Sequence, residues 1–237
     1  MDVMTVTGPV PASSLGFVLP HEHLLIDLTR AKARWDLEGL LDEPAIAATE
    51  LAAFGVLGGR TLVEMTTDDL GRDPAGLRSV STASGVNVVM GTGWYREPYY
   101  PESIDQLSAN RLADHIIAEI DHGVGDTGIR PGVIGEIGCD RRWLSAREER
   151  VLRAAARAQA GRGLGLMTHT PPGVAQQQLE VLREEGADFG RWPSAMPTAG
   201  STSTITSPSR GAEPSCHSTW SASASTQTSD VPRTLRS

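Results

Sequence analysis

Leu19-Pro20-His21-Glu22-His23-Leu24-Leu25-Ile26-Asp27 reads as a short apolar strand that delivers two imidazoles with a single residue between them. On a strand alternate side chains share a face, so His21 and His23 point the same way with their ring nitrogens in reach of one ion. That is half of a metal site, because imidazole is the commonest ligand for zinc-like ions. A lone His-x-His also suits the polar rim of a strand, and what decides between the two lies further along the chain.

Beyond it, apolar and polar stretches alternate. An acidic, Ala-rich segment predicts a helix over 38–57, with Leu40, Ile46, Leu51 and Phe54 at helical spacing and Gly55, Gly58 and Gly59 to stop it. A buried strand follows over 60–66, then a short helix over 77–84 and an apolar strand over 86–93 that ends in glycines. Ile104, Leu107, Leu112, Ile116, Ile117 and Ile120 mark one further helix, and 132–137 the next strand. A helix over 148–161, a strand over 165–169 and a helix through Leu179, Leu182 and Gly186 close the series.

Strands alternating with amphipathic helices imply a parallel sheet, of the α/β class. No Gly-x-Gly-x-x-Gly turn opens a helix after the first strand, so a dinucleotide fold is unsupported, although a doubly wound sheet stays open as an architecture. The polar residues His21, His23, Glu64, Glu136 and His169 all fall at the C-terminal ends of successive strands. In a parallel (β/α)8 barrel those ends converge on one mouth, where active sites are found. Glu136 is the most informative of them, since a carboxylate in an otherwise apolar strand is costly to bury unless an arginine or a metal pairs with it. A carboxylate can bridge two cations that hold a hydroxide between them.

The 237 residues are a marginal length for such a barrel, which takes about 250. A formal charge of -8 argues against a nucleic-acid partner or an anionic membrane surface. Cys139 and Cys216 lie far apart, which suggests neither a disulfide framework nor a zinc knuckle. No basic flank precedes an apolar run at the start and no apolar run approaches spanning length, so the expected location is cytoplasmic.

Taken together, residues 19–27, Thr61-Leu62-Val63-Glu64-Met65-Thr66-Thr67 with Gly71-Arg72-Asp73-Pro74, residues 85–95, Ile134-Gly135-Glu136-Ile137-Gly138 and Thr168-His169-Thr170 resemble the phosphotriesterase family of the amidohydrolase superfamily. The resemblance covers about residues 1–191. It implies a (β/α)8 TIM-type barrel and a hydrolase with two divalent metal ions, zinc by expectation, acting on a small-molecule phosphoester, carboxylic ester or lactone. It places His21 and His23 on the buried ion, Glu136 as the bridge between the ions and His169 on the second ion. Tyr95, after the third barrel strand, would lie beside the metals and contact substrate, while Arg96 would bind an anionic group or stay solvated. Glu22 and Asp27 would belong to the supporting shell or to helix capping. The best-known phosphotriesterases bridge their metals with a carboxylated lysine, and a glutamate bridge resembles the branch called phosphotriesterase homology proteins. A homodimer is the assembly that the family suggests.

The pattern stops after Arg191. The family continues with a strand ending in Ile-Gly-His, whose histidine is a further ligand, and later supplies a metal-bound aspartate as proton acceptor; this chain shows neither, so no catalytic acceptor is assigned. From Trp192 onward Ser, Thr, Pro and Ala dominate without any period, a composition that cannot form a core. The expectation is therefore an incomplete barrel over 1–191 followed by a disordered, low-complexity tail over 192–237. The genetic code offers a reason. Read from the third base of the Arg191 codon, Trp192-Pro193-Ser194-Ala195-Met196-Pro197-Thr198 permits Leu-Ala-Ile-Gly-His-Ala-Asp, with both alanines forced by the unique Trp and Met codons. In the same frame the codons of residues 215–222 permit Val-Ser-Phe-Asp-Leu-Val-Gly, again family-like. Lys32 is the only lysine beside many arginines, as a GC-rich gene would give. Residues 192–237 thus read as out-of-frame translation, and a barrel that cannot close would fold poorly and turn over little substrate.

Overall fold

The computed structural model describes residues 1–31 and 39–189. The tail over 192–237, and with it the disorder and frame expectations, lies outside the described residues, as does the first residue of the helix expected over 38–57. A hairpin of β1 (Asp2–Thr5) and β2 (Gly8–Pro11) comes first. Then β3 (Phe17–Glu22), β4 (Ile26–Asp27), β5 (Leu40–Leu41), α1 (Pro44–Val56), β6 (Gly59–Glu64), α2 (Pro74–Ser84) and β7 (Asn87–Thr92) follow in order. The series ends with α3 (Ser103–Gln106), α4 (Ala109–His122), β8 (Val133–Gly138), α5 (Ala146–Arg162), β9 (Gly165–His169) and α6 (Ala175–Glu184).

The main sheet runs β3-β6-β7-β8-β9, every neighbouring pair parallel. Spatial order equals chain order without a reversal, which excludes the doubly wound alternative and is the winding of a (β/α)8 barrel. The five strands curl into a half-barrel with the helices outside. Among the described residues no helix is long and apolar enough to cross a membrane.

Most expected elements form, and the departures have local causes. Pro44 lacks an N–H and holds Glu43 extended, so α1 cannot begin at 38, and Leu40 instead pairs with Asp27 in the small β4–β5 ladder. The helix expected across 104–120 is two, because Leu107 is extended and the Ser108 side chain accepts the Arg111 N–H at a new helix start. At α2, Pro74 sits at the first helical position with Asp73 capping it, which moves the start three residues ahead of Leu77. Neither the β1–β2 hairpin nor the β4–β5 ladder was expected from the sequence.

Two apolar layers fill the space between sheet and helices. One joins Leu62, Val88 and Met90 to Leu51, Leu77 and Val80, and the other joins Ile134, Ile137 and Leu166 to α4, α5 and α6 through residues such as Ile116, Leu152 and Leu182. Each such side chain contributes about 1.5–3 kcal/mol when fully buried. Met65, Val89 and Val133, with Val3, Val63 and Met167 against them, occupy the opposite, inner face.

Candidate metal centre

Strict alternation would not carry the ligands to the inner face. Leu19 packs into the helix-side layer beside its partner Leu62, so His21 and His23, two and four residues on, would face the helices as well. The β3–β6 ladder corrects this: Leu19 pairs with Leu62 but Glu22 with Glu64, three steps against two. The extra residue is a bulge that turns both imidazoles into the barrel interior. β8 uses the same device. Ile134 pairs with Leu166 and Ile137 with Thr168, again three steps against two, so both isoleucines keep to the helix layer while Glu136 between them turns inward. On β9 the alternation runs on undisturbed, and His169 follows Met167 onto the inner face.

The four side chains converge. Glu136 Oε2 lies 3.2 Å from His21 Nε2 and 3.9 Å from His23 Nε2, while its Oε1 lies 2.8 Å from His169 Nδ1. Ligand atoms of His21, His23 and Glu136 all fall within 4.8 Å of one another. Two imidazoles and a carboxylate are a donor set that suits zinc. The other carboxylate oxygen faces His169.

The electrostatics agree with ligand duty. Burial raises Glu136, which is 3 % exposed, but hydrogen bonds from His169 and His21 and the charges of both outweigh burial and hold it at about 2. His23 is pushed down to about 4, chiefly by burial, so it is neutral near pH 7, the form in which an imidazole can bind a metal. His21 is also lowered by burial, but the charge and hydrogen bond of Glu136 turn the balance and raise it. The His23 Nδ1 meets the Thr66 hydroxyl at 2.9 Å, which fixes the ring and leaves Nε2 to point at Glu136.

Tyr95 stands beside this group. Its hydroxyl is 3.3 Å from His169 Nδ1 and 3.4 Å from Nε2, and burial with the nearby Glu136 charge raises its pKa, keeping it a phenol. Its backbone N–H donates to both oxygens of the buried Asp69 carboxylate, at 3.0 and 2.9 Å. Arg96 lies over the Tyr95 ring at 4.9 Å and pairs with Asp140 at 3.3 Å, so it is not a solvated cation. Asp27 caps the short turn at 28–30 by accepting the Thr29 N–H, and the Glu22 side chain is exposed.

Three buried acids support these residues, of which sequence reasoning singled out only Glu64, as a polar residue at a strand end. Glu64 is fully buried, accepts the backbone N–H groups of Leu24 and Thr66, and is pushed to about 7 by burial against those bonds. Asp69 anchors Tyr95, and burial lifts it to about 7. Glu119 takes a two-pronged pair from Arg72. Glu64 and Glu119 sit between apolar neighbours in sequence, a weak signal, whereas Asp69 follows Asp68, and a tertiary partner of each is remote along the chain.

Residues 1–196 match the phosphotriesterase family. The chain is 32% identical to the N-acetyltaurine hydrolase of Salmo salar over 220 residues, covering 80% of this chain and 62% of that protein. Among solved structures it resembles a resiniferatoxin-binding protein from Rhodobacter sphaeroides, with 38% identity and a TM-score of 0.73 over 79% of this chain and 61% of that one. It also resembles the phosphotriesterase homology protein from Escherichia coli complexed with phosphate in its active site, with 34% identity and a TM-score of 0.70 over 76% and 61%. The chain thus spans less than two thirds of each of these relatives.

Proposed function

The chain belongs to the phosphotriesterase family, and from that premise we propose that it is built as a metal-dependent hydrolase of a small molecule, cleaving a phosphoester, carboxylic ester or lactone. The relative that acts on N-acetyltaurine adds an amide to that range. One observation carries the reading: a buried carboxylate, Glu136, gives one oxygen to His21 and His23 and the other to His169. Such a carboxylate has no structural need of three histidines, and a bridge between two divalent ions, zinc on this reading, accounts for all of them. When bound, the ions supply polarisation of the substrate oxygen and a water of lowered pKa.

The chain's own residues do the positioning. Thr66 and Glu136 orient the imidazoles, and Asp69 holds the Tyr95 backbone so that its phenol faces His169 and offers a proton to a substrate oxygen. A family-type homodimer in the cytoplasm is the setting we assign, and size-exclusion with light scattering checks the assembly. We test the function with the purified chain, metal counted by mass spectrometry and a panel of lactones, aryl esters, phosphotriesters and N-acyl amines assayed with Zn²⁺ or Mn²⁺. Turnover that Glu136→Gln abolishes supports the hydrolase. Failure to bind any metal overturns it.

A second reading has its own support. The family match stops at 196, and the composition beyond 191 is that of no core. We propose that residues 192–237 are out-of-frame translation, in which case the chain is an inactive, truncated relative that binds metal without turnover. Sequencing the gene across the Arg191 and Trp192 codons and translating the downstream frames tests this: a base missing from the read restores the longer frame, a base absent from the genome leaves a metal-binding remnant, and a shifted frame that does not spell Ile-Gly-His refutes the frame argument.

A further inference from the structure

The end of the half-barrel opposite the metal centre carries a second concavity. There the β1–β2 hairpin lies against the start of β7, with the Val6 N–H donating to the Val88 carbonyl at 2.9 Å. A cavity of about 450 Å³ opens between the hairpin, α2 and residues 128–130. Arg78 and Arg130 both line it, and no carboxylate does. In a chain of formal charge -8 that is an unusual wall.

Both guanidiniums are held by neutral groups. Arg78, which lines the cavity, donates through Nε to the Val6 carbonyl at 3.1 Å, and Arg130 rests one terminal nitrogen 3.7 Å from the Met4 sulfur. Among the described residues neither is in an ion pair. Asp121 feels the charge of Arg130, but both its oxygens are taken by Arg162 at 2.8 and 2.6 Å. The hydroxyls of Thr5 and Thr82 are spent on the carbonyls of Gly8 and Arg78, so any ligand held here answers to the arginines.

We propose that this cavity binds a small phosphate monoester, its phosphate forked by Arg78 and Arg130. The planar guanidinium matches phosphate oxygens in pairs, and two of them answer a dianion. The volume exceeds what a bare phosphate fills and leaves room for an organic group. The site lies at the strands' N-terminal ends, away from the mouth where barrel chemistry takes place, so its occupant is an effector or stabiliser and not the substrate.

The test is calorimetric titration of the chelator-treated protein with inorganic phosphate and, separately, with ribose 5-phosphate. We expect saturable binding, tighter for the ester, that weakens about tenfold or more in Arg78→Gln and in Arg130→Gln, and that His21→Ala and His169→Ala leave unchanged. Far-ultraviolet circular dichroism confirms that each variant keeps its fold, and Arg78→Lys, which keeps the charge without the fork, should lose part of the affinity. Equal binding by wild type and both glutamine variants overturns the proposal, and so does binding lost only in the histidine variants, which would put the phosphate at the metal centre.

Discussion

Replacing Glu119 with glutamine should cost this protein several kcal/mol, and the cost should fade with acid. Arg72 and Glu119 are 9 % and 7 % exposed, and they meet through two hydrogen bonds of 2.9 and 2.7 Å. The same guanidinium donates to the Gly91 carbonyl, and Thr92 donates to the same carboxylate, so the pair ties the loop after β6 to β7 and α4. Burial raises the Glu119 pKa, but hydrogen bonds from His115 and Arg72 and the Arg72 charge outweigh it and bring the group from 4.5 to about 2. That depression is worth about 3 kcal/mol of stability.

Because the folded pKa is the lower one, the contribution is fully present above the unfolded value of 4.5. It is lost as pH falls toward the folded value near 2, and is about half gone near pH 3. Glu119→Gln also strands the guanidinium in the interior, which brings the expected loss at pH 7 to about 3–5 kcal/mol. The assay is urea unfolding of wild type and variant at pH 7, 4.5 and 3, compared as a difference so that titrating groups other than Glu119 and its partner His115 cancel. A further variant, Arg72→Met with Glu119→Leu, should recover most of the stability, since an apolar pair of similar volume replaces a buried ion pair at little net cost. A loss below about 1 kcal/mol that does not change between pH 7 and 3 would refute the reasoning.

Thr66→Val removes the hydroxyl that fixes His23 and should weaken zinc binding about 10–100-fold with no loss of fold, read by competition with a chromogenic chelator. Gly91→Ala places a methyl against the Gly135 carbonyl of the neighbouring strand, with no flexible side chain to give way, and should destabilise by roughly 1–3 kcal/mol in urea unfolding. Ser145→Ala breaks the capping box with Glu148 at the start of α5 and should cost about 1 kcal/mol, a fall of roughly 2–4 °C in Tm by scanning calorimetry. Saturating zinc should stabilise the wild type by about 2.7 kcal/mol at a hundredfold excess over Kd. An equal gain in His21→Ala would show that zinc acts elsewhere.

Much of this was legible in the sequence because it rests on short-range rules. The alternation of strands and helices, the candidate ligands at strand ends and the closeness of His21 to His23 follow from periods of 2 and 3.6 residues. What failed was also local but subtler. The one-turn interruption at Ser108 and the delayed start at Pro44 are capping and proline effects that an apolar period overruns. Glu64 was legible only as a polar strand end, and the buried acids Asp69 and Glu119 went unread, because the partners of the three, Leu24, Tyr95 and Arg72, lie 40, 26 and 47 residues away. The bulges were invisible for a different reason. Alternation told that His21 and His23 share a face, but Leu19 would have taken that face toward the helices, and only the ladder to β6 shows the extra residue that reverses it.

The same geometry makes the candidate centre a gauge of the fold. His21 stands on β3 with His23 just past its end, and Glu136 stands on β8, with β6 and β7 between them. In a flat sheet three strand spacings separate them by about 14 Å, and side chains standing perpendicular to the sheet would not meet. Here His21 and Glu136 are 3.2 Å apart. The contact exists only because the sheet curls and because both bulges turn the donors to the concave side. Curvature is therefore what assembles the site, and whatever these four side chains hold must in turn favour the curl, since a ligand that binds the curved sheet and not the flat one shifts the balance between them by its difference in affinity.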